Sequence, residues 1–279
     1  MNIKTISAAC AAMLALTAAS CSSKGTAAAE PAEAPVDSLT YSTVPGGEQT
    51  AIAAFPIDDE GYTVIFDGAN TTGWRGYGKD HIPARWTVAD SCLHFAAGEG
   101  EGGDIVFAHN YKDFDIQFEW KMSEGGNSGF FYMVQEAYGP DGNLYYSFMS
   151  APEYQLLDNE NHPDAKLGVD GNRMSASLYD MIPANPQNQK PYGEWNKTKI
   201  LCYKGTVVHY QNDKPVVEYH LWTPQWQELL DNSKFSKDKW PEAYDLLLNC
   251  GGENHEGYIG LQDHGDDVWF RNIKVKVLD

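Results

Sequence analysis

Basic residues are scarce in this chain of 279: 20 Lys and Arg stand against 39 Asp and Glu, a formal net charge of −19. A surface of that sign repels polyanions, which excludes nucleic acid and anionic lipid headgroups as partners. Cysteines are few. Beyond Cys10 and Cys21 only Cys92, Cys202 and Cys250 remain, an odd number that permits at most one bridge. No Cys-x-x-Cys pair occurs, which excludes a zinc ribbon. Each of the three sits in a β-like apolar context and is expected to pack in a core. Long apolar runs are missing too: residues 6–19 are too few and too small-sided to cross a bilayer.

What that run does fit is a secretory signal, with Lys4 before it and Ser20-Cys21 after it. Ala18-Ala19-Ser20-Cys21 resembles a bacterial lipobox, departing from it at Ala18, where Leu or Val is usual. Cys21 then becomes the acylated first residue. Residues 22–54 are rich in Ala, Glu, Pro, Ser and Thr, with almost no large apolar side chain before Ile52. Such a stretch cannot bury enough surface to offset its ordering entropy. The expected organisation is therefore a lipoprotein signal (1–21), a flexible tether (22–54) and one folded head (55–279). The head is expected to be exported to the cell envelope, in the periplasm or at the cell surface, touching the membrane only through a lipid.

The head reads as strand after short strand, at 63–66, 86–88, 92–95, 104–107, 114–122, 128–134, 153–157, 195–203, 206–211, 215–220, 258–262 and 268–278. Asp67-Gly68, Gly125-Gly126-Asn127, Asp141-Gly142 and Asn212-Asp213 mark turns. Many short strands with few helical runs predict an all-β sandwich or jelly roll. Phe114, Ile116, Phe118 and Trp120 alternate with polar residues and are expected to point inward. Thr223-Pro224, followed by Trp226, Leu229 and Leu230 on one face, predicts a helix. A second is expected near 240–247. Eight Trp and sixteen Tyr suit the flat faces of neutral sugars, although a β-rich core uses them equally well.

The stretch 151–162 concentrates chemistry. Glu153 and Gln155 share one face of a strand, Tyr154 and Leu156 the other, and Asp158, Glu160 and His162 follow on a polar loop. A polar-faced edge strand ending in a solvated turn would look the same. Sandwich glycosidases use Glu-x-Asp-x-x-Glu on such a strand; here the letters are Glu153-x-Gln155-x-x-Asp158. The middle acid is missing, and offsets of 0 and 5 fall on opposite faces of a regular strand. Retention needs carboxyls about 5 Å apart and inversion about 6.5–9.5 Å, which this pattern does not supply. A second cluster, Gly260-Leu261-Gln262-Asp263-His264-Gly265, places Gln262 and His264 on one side. Should Gln262 face the same surface as Glu153 and Gln155, the site gains an imidazole suited to proton transfer near neutrality. Asn127-Ser128-Gly129 follows a double-glycine turn, used either for close backbone approach or for a tight hairpin. Arg173, Tyr179 and Lys190 lie on a long loop of the kind that walls a binding site. Asp141-Gly142-Asn143 and Asp170-Gly171-Asn172 lack the spaced acids of a calcium loop and are read as turns.

Several segments carry a resemblance. Phe66-Asp67-Gly68 and Gly73-Trp74 are followed by Gly126-Asn127-Ser128-Gly129-Phe130 and by residues 151–158. Ser177-Leu178-Tyr179-Asp180, Lys190-Pro191 and Gly193-Glu194-Trp195-Asn196 come next. Gly257-Tyr258-Ile259-Gly260-Leu261-Gln262-Asp263-His264-Gly265 and residues 268–273 close the series. With these the head resembles the 3-keto-disaccharide hydrolase family of bacterial lipoproteins. It departs at Phe130, where Ile or Leu is more usual, and at Tyr192, where Val or Pro is common.

The resemblance implies a concanavalin-like jelly-roll sandwich of two antiparallel sheets with short helical insertions, and cleavage of glycosides already oxidised at C3. A C3 ketone acidifies the C2 proton, and the enolate can expel the C1 substituent by β-elimination, with or without rehydration. That route needs a base, an electrophile at the ketone oxygen and an acid for the leaving group. By this reading His264 or His162 is the base, and Glu153 and Asp158 orient it or, with His162, hold one divalent metal ion. Gln155, Gln262 and Asn127 hold hydroxyls, Arg173 contributes to substrate binding, and Lys190 or Tyr179 polarises the ketone. Two other classes share the fold: a non-catalytic carbohydrate-binding module of the laminin-G type, and an ordinary endo-glycanase. A binding module needs aromatics and amides; two loop histidines beside acids favour proton transfer.

Overall fold

The structure, a computed structural model, describes residues 50–279. The expected leader, its acylated Cys21 and the tether as far as residue 49 lie outside the described residues. Residues 50–54, assigned to the tether from composition, are built onto the head. The Thr50 amide donates to the Ala108 carbonyl (2.6 Å) and its hydroxyl to that of Gly73 (3.3 Å). Ile52 is buried within a single 3-10 turn, Ile52–Ala54. One large apolar side chain with a place to go draws this segment in.

In chain order the strands are β1 (Thr63–Phe66), β2 (Trp74–Gly76), β3 (Trp86–Ala89), β4 (Cys92–Phe95), β5 (Ile105–Tyr111), β6 (Phe114–Met122) and β7 (Asn127–Val134). Then come β8 (Glu153–Leu157), β9 (Asn196–Tyr203), β10 (Thr206–Gln211), β11 (Lys214–His220), β12 (Gly257–Leu261) and β13 (Val268–Val277). Eight form one sheet in the order β11-β10-β9-β6-β13-β4-β3, with β1 also on β13; five form the other, β2-β5-β12-β7-β8. Neighbours run antiparallel in both. This is the expected jelly-roll sandwich. β2 was not foreseen, because three residues are too few to display a period.

The core lies between the sheets. From β6 the inward set Phe114, Ile116, Phe118 and Trp120 is buried, as the alternation predicts. Phe118 stacks on Phe130 of the facing sheet, ring centroids 4.3 Å apart and planes 16° apart, so the layers touch directly there. The β10–β11 hairpin turns on Asn212 and Asp213, both at positive φ (49° and 67°), the backbone that a two-residue hairpin demands and that Asn and Asp tolerate. Cys92, Cys202 and Cys250 are buried free thiols.

Helix α1 (Pro224–Asp231) begins at Thr223, whose hydroxyl accepts from the Trp226 amide (3.2 Å). It buries Trp226 and Leu230, and the Trp226 indole N–H donates to the Leu247 carbonyl of α2 (Pro241–Leu248) at 2.9 Å. The loop between the helices carries Lys234. Among the described residues no helix is long and apolar enough to cross a membrane.

Truncating Phe130 to Ala removes one half of the inter-sheet stack. A loss of about 3–5 kcal/mol is expected, read as a lower urea midpoint at unchanged m-value. A loss below about 1 kcal/mol would mean that the sheets are held together elsewhere.

Candidate functional site

Strand register assembles the site on the outer face of the five-stranded sheet. Tyr154 and Leu156 of β8 enter the core, which turns Glu153 and Gln155 outward. Gln155 lies opposite Gly129 of β7, and the Gln262 amide, just past β12, donates to the Gly129 carbonyl (3.0 Å). Gln155, Gly129 and Gln262 therefore form one row. Glu153 belongs to the next row, opposite Phe131, which in turn faces Gly260. Strand β8 is not an open edge. The Gln155 amide donates to Ser177, the Ala176 amide to Gln155 and the Tyr179 amide to Glu153, so the long loop covers it.

Glu153 leans out of its own row over Gly129. A Cβ at Gly129 would lie 2.5 Å from Glu153 Oε1, so only glycine leaves room for the carboxyl. Glu153 is 7 % exposed and its carboxyl has no hydrogen bond among the described residues. Burial pushes its pKa up to about 8; Lys234 opposes the rise, and Asp104 and Asp164 add to it.

Lys234 is the cation of this site, and nothing in the sequence around it announced that. Its Nζ stands 4.3 Å from the Tyr179 ring centroid, 4.9 Å from Phe235 and 5.6 Å from Phe148, without an ion-pair partner within 4 Å among the described residues. Burial lowers its pKa, against the pull of Glu153 and Asp180. Its backbone N–H donates to Asp180 (2.6 Å), which also binds Arg173 Nε (2.5 Å). Arg173 reaches on to Asp164 (3.0 Å), and the Tyr179 hydroxyl donates to the same carboxylate (2.9 Å). Arg173 and Tyr179, expected to meet substrate, are thus engaged in holding two acids. Lys190 is exposed, with its ammonium on the Trp195 carbonyl (2.9 Å). The expected cation on the long loop is therefore replaced by one from between the helices.

Of three carboxamides, Gln155 and Gln262 stand one row from Glu153, and Asn127, opposite Leu157, stands in the row beyond. The side-chain oxygens of Gln155, Gln262 and Asn127 are buried without a hydrogen-bond partner. Each such group costs about 1–3 kcal/mol, which a ligand rich in hydroxyls would recover. Asn127 also organises the histidines: its Nδ2 lies 3.2 Å from His264 Nε2, and its amide donates to Asp266 (3.1 Å). The His162 and His264 rings meet edge to face, centroids 6.1 Å apart. Burial, with His264 close by, lowers the His162 pKa, so this ring is neutral at neutral pH.

His162, His264 and Asp266 can bring one ligand atom each within 4.8 Å of one another. Two imidazoles and a carboxylate are a donor set for borderline divalent ions. The set differs from the expected Glu153, Asp158 and His162. Asp158 is consumed locally: Oδ2 accepts from Gly125 N (2.8 Å) and Asn161 Nδ2 (2.7 Å), Oδ1 from Glu160 N (3.2 Å). Burial raises its pKa, but these bonds outweigh that and hold it below the ordinary value. It shapes the turn after β8 and has no oxygen to spare for a metal or a second catalytic acid.

A groove of about 790 Å³ also opens on the outer face of the eight-stranded sheet. Among its charges, Lys274 binds Asp58 and Glu60 (2.8 and 2.7 Å) and Glu119 binds Arg271 (2.6 Å).

A family described as 3-keto-alpha-glucoside-1,2-lyase-like domain matches residues 61–276. A Bacteroides thetaiotaomicron protein named 3-keto-disaccharide hydrolase is 64 % identical over 234 residues, which are 80 % of this chain and 81 % of that one. A crystal structure of a candidate glycosyl hydrolase from Parabacteroides distasonis superposes with TM-score 0.66 at 33 % identity, covering 79 % of this chain and 95 % of the other. Another from the same organism, at 21 % identity and TM-score 0.51 over 78 % and 84 % of the two chains, shares the fold.

Because the folded-state pKa of Glu153 stands above its ordinary 4.5, the group favours folding below that pH, and the contribution is lost as pH rises through about 8. Glu153→Gln is neutral throughout. It is expected to match the parent near pH 5 and to exceed its unfolding free energy by on the order of 3 kcal/mol at pH 9. Parallel pH profiles of the two proteins would show Glu153 titrating as an ordinary carboxyl.

Proposed function

The chain belongs to the 3-keto-alpha-glucoside-1,2-lyase-like family, and from that premise we propose that it cleaves sugars carrying a ketone at C3 by β-elimination. It is an enzyme of the glycosidase type. The observation that carries the elimination is a carboxyl buried over Gly129 without a bond of its own, on the same sheet face as two histidines set edge to face. Glu153 is held protonated near neutrality and His162 is held neutral, an acid and a base ready without a matched carboxylate pair.

In this reading Gln155, Gln262 and Asn127 seat the sugar over β7 by its hydroxyls, meeting their unsatisfied oxygens. His162, with His264 beside it, takes the C2 proton on Nδ1 once that nitrogen gives up the bond it accepts from the Asp164 amide. The electron pair forms the C2=C3 enolate, then re-forms the ketone and a C1=C2 bond as the C1–O bond breaks. Glu153 gives its proton to the departing oxygen. Lys234 steadies the carboxylate that this leaves, which is why a cation belongs beside a buried acid. Water adding across C1=C2 then completes a net hydrolysis.

His162, His264 and Asp266 also fit a divalent ion, which when bound supplies an electrophile for the C3 oxygen. The lone pairs in question now accept from amide donors, His162 Nδ1 from Asp164 N (3.1 Å) and His264 Nε2 from Asn127. A lone pair given to an ion cannot take a proton, so the two uses of a given ring exclude one another. Turnover that survives a chelator keeps the rings as bases; loss restored by an added divalent ion makes them ligands.

Elimination leaves an isotopic record. Turnover of a 3-keto glucoside in D2O is expected to give 3-ketoglucose deuterated at C2 in excess of C4, which is also α to the ketone and serves as internal control. Product without that excess would mean direct displacement at C1. Gly129→Ala, which must displace the Glu153 carboxyl, is expected to lower kcat by roughly 10²-fold or more while the protein stays folded.

A further inference from the structure

Beyond Glu153 and Lys234, on the side away from the histidines, the sheet face is roofed by aromatic side chains that the reaction itself does not use. Phe148 packs on the outward apolar patch of Val106, Phe131, Ala151 and Tyr258. Trp240 meets it edge to face at 5.5 Å, and Lys234 Nζ stands 5.6 Å from its centroid. Tyr146 lies parallel to Phe148, centroids 5.4 Å apart and planes 7° apart, yet remains 68 % exposed. Between the two, the Ser147 hydroxyl donates to Asp104. Asp104 is itself half-buried next to the amide row, accepting from the Asp263 amide (2.8 Å). A short 3-10 turn, Ser147–Met149, is thus pinned to the site floor, and a large ring is presented from its leading edge with one face covered and the other bare.

An exposed tyrosine stacked on a packed neighbour has a use that a lone surface ring does not. We propose that Tyr146, backed by Phe148, is the platform for the leaving group, and that the enzyme selects leaving groups with a flat ring face, pyranosyl or aryl, over small alkyl groups. The inference rests on the elimination reading above: Glu153 donates to the departing oxygen, so whatever departs extends from Glu153 toward this wall. A pyranose presents axial C–H bonds to an aromatic face and an aryl group stacks on it; a methyl group reaches neither. Tyr146 touches only the departing part, so it acts on binding and not on bond breaking.

The test compares wild type, Tyr146→Ala and Tyr146→Phe on three 3-keto glucosides whose aglycones are glucosyl, phenyl and methyl. Tyr146→Ala is expected to raise KM about ten-fold for the glucosyl and phenyl substrates, with kcat little changed, and to leave the methyl substrate within about two-fold. Tyr146→Phe, which keeps the ring, is expected to behave as wild type. A KM effect confined to one of the two flat substrates identifies which leaving group the platform takes. An equal change on all three substrates, or none on any, overturns the platform while leaving the reaction intact. Wild type that cleaves none of the three removes the reaction and the platform together.

Discussion

Tyr154 and Leu156 have to be buried between two sheets, and that requirement decides where the chemistry goes. A strand has two faces and a period of two, so committing one set to the core sends Glu153 and Gln155 out. The same holds for β12, where Ile259 and Leu261 are core residues and Gln262 follows on the outer face. The inter-sheet contact of Phe118 with Phe130 fixes the two layers behind them. A one-residue slip of β8 would bury the carboxyl in hydrocarbon and expose a tyrosine; register and site are one constraint seen from two sides.

On that face the difficulty is electrostatic. The chain is strongly acidic, and Glu153, Asp104, Asp164 and Asp180 crowd one region of it. Arg173 spans Asp164 and Asp180, and the Tyr179 hydroxyl adds to Asp164. Two of the four acids thereby share one guanidinium, and Asp104 is engaged by Ser147 and the Asp263 amide, although burial still pushes its pKa up to about 6. Glu153 is the acid left with no bond of its own and only an ammonium for company. Isolation of that kind is expensive in stability and is what gives a carboxyl a proton to donate at neutral pH.

Much of this architecture was legible and some of the site was not, for reasons that differ by residue. Alternation from Phe114 to Trp120 and the turn at Asn212-Asp213 are local signals, and the strands they predict are present. Thr223-Pro224 announced a helix because capping is a property of a few adjacent residues. Lys234 carries no such mark. It comes near Glu153, Tyr179 and Phe148 only through the fold, from the loop between α1 and α2. Asp158 misled in the opposite way: its position after a polar strand looked catalytic, but a distant turn supplies the Gly125 N–H that occupies it. Ile52 shows composition failing at a boundary, where one side chain outweighs the average of its neighbours.

On the elimination route proposed above, a single buried acid would be sufficient. Ordinary glycoside cleavage asks the protein to stabilise a cation at C1, and a second carboxylate supplies that. Asp158 cannot, since its oxygens are already bonded. A substrate ketone changes the demand. The charge that develops is an enolate, drawn to N–H donors and cations instead of carboxylates, and the groups needed are a neutral base at one end and a protonated acid at the other. Burial is the largest influence on both, penalising the charged forms of His162 and Glu153 alike, with His264 adding to it at one and Asp104 and Asp164 at the other. One physical effect, acting with opposite consequence on an imidazole and a carboxyl, would on that route set the direction in which a proton crosses the site.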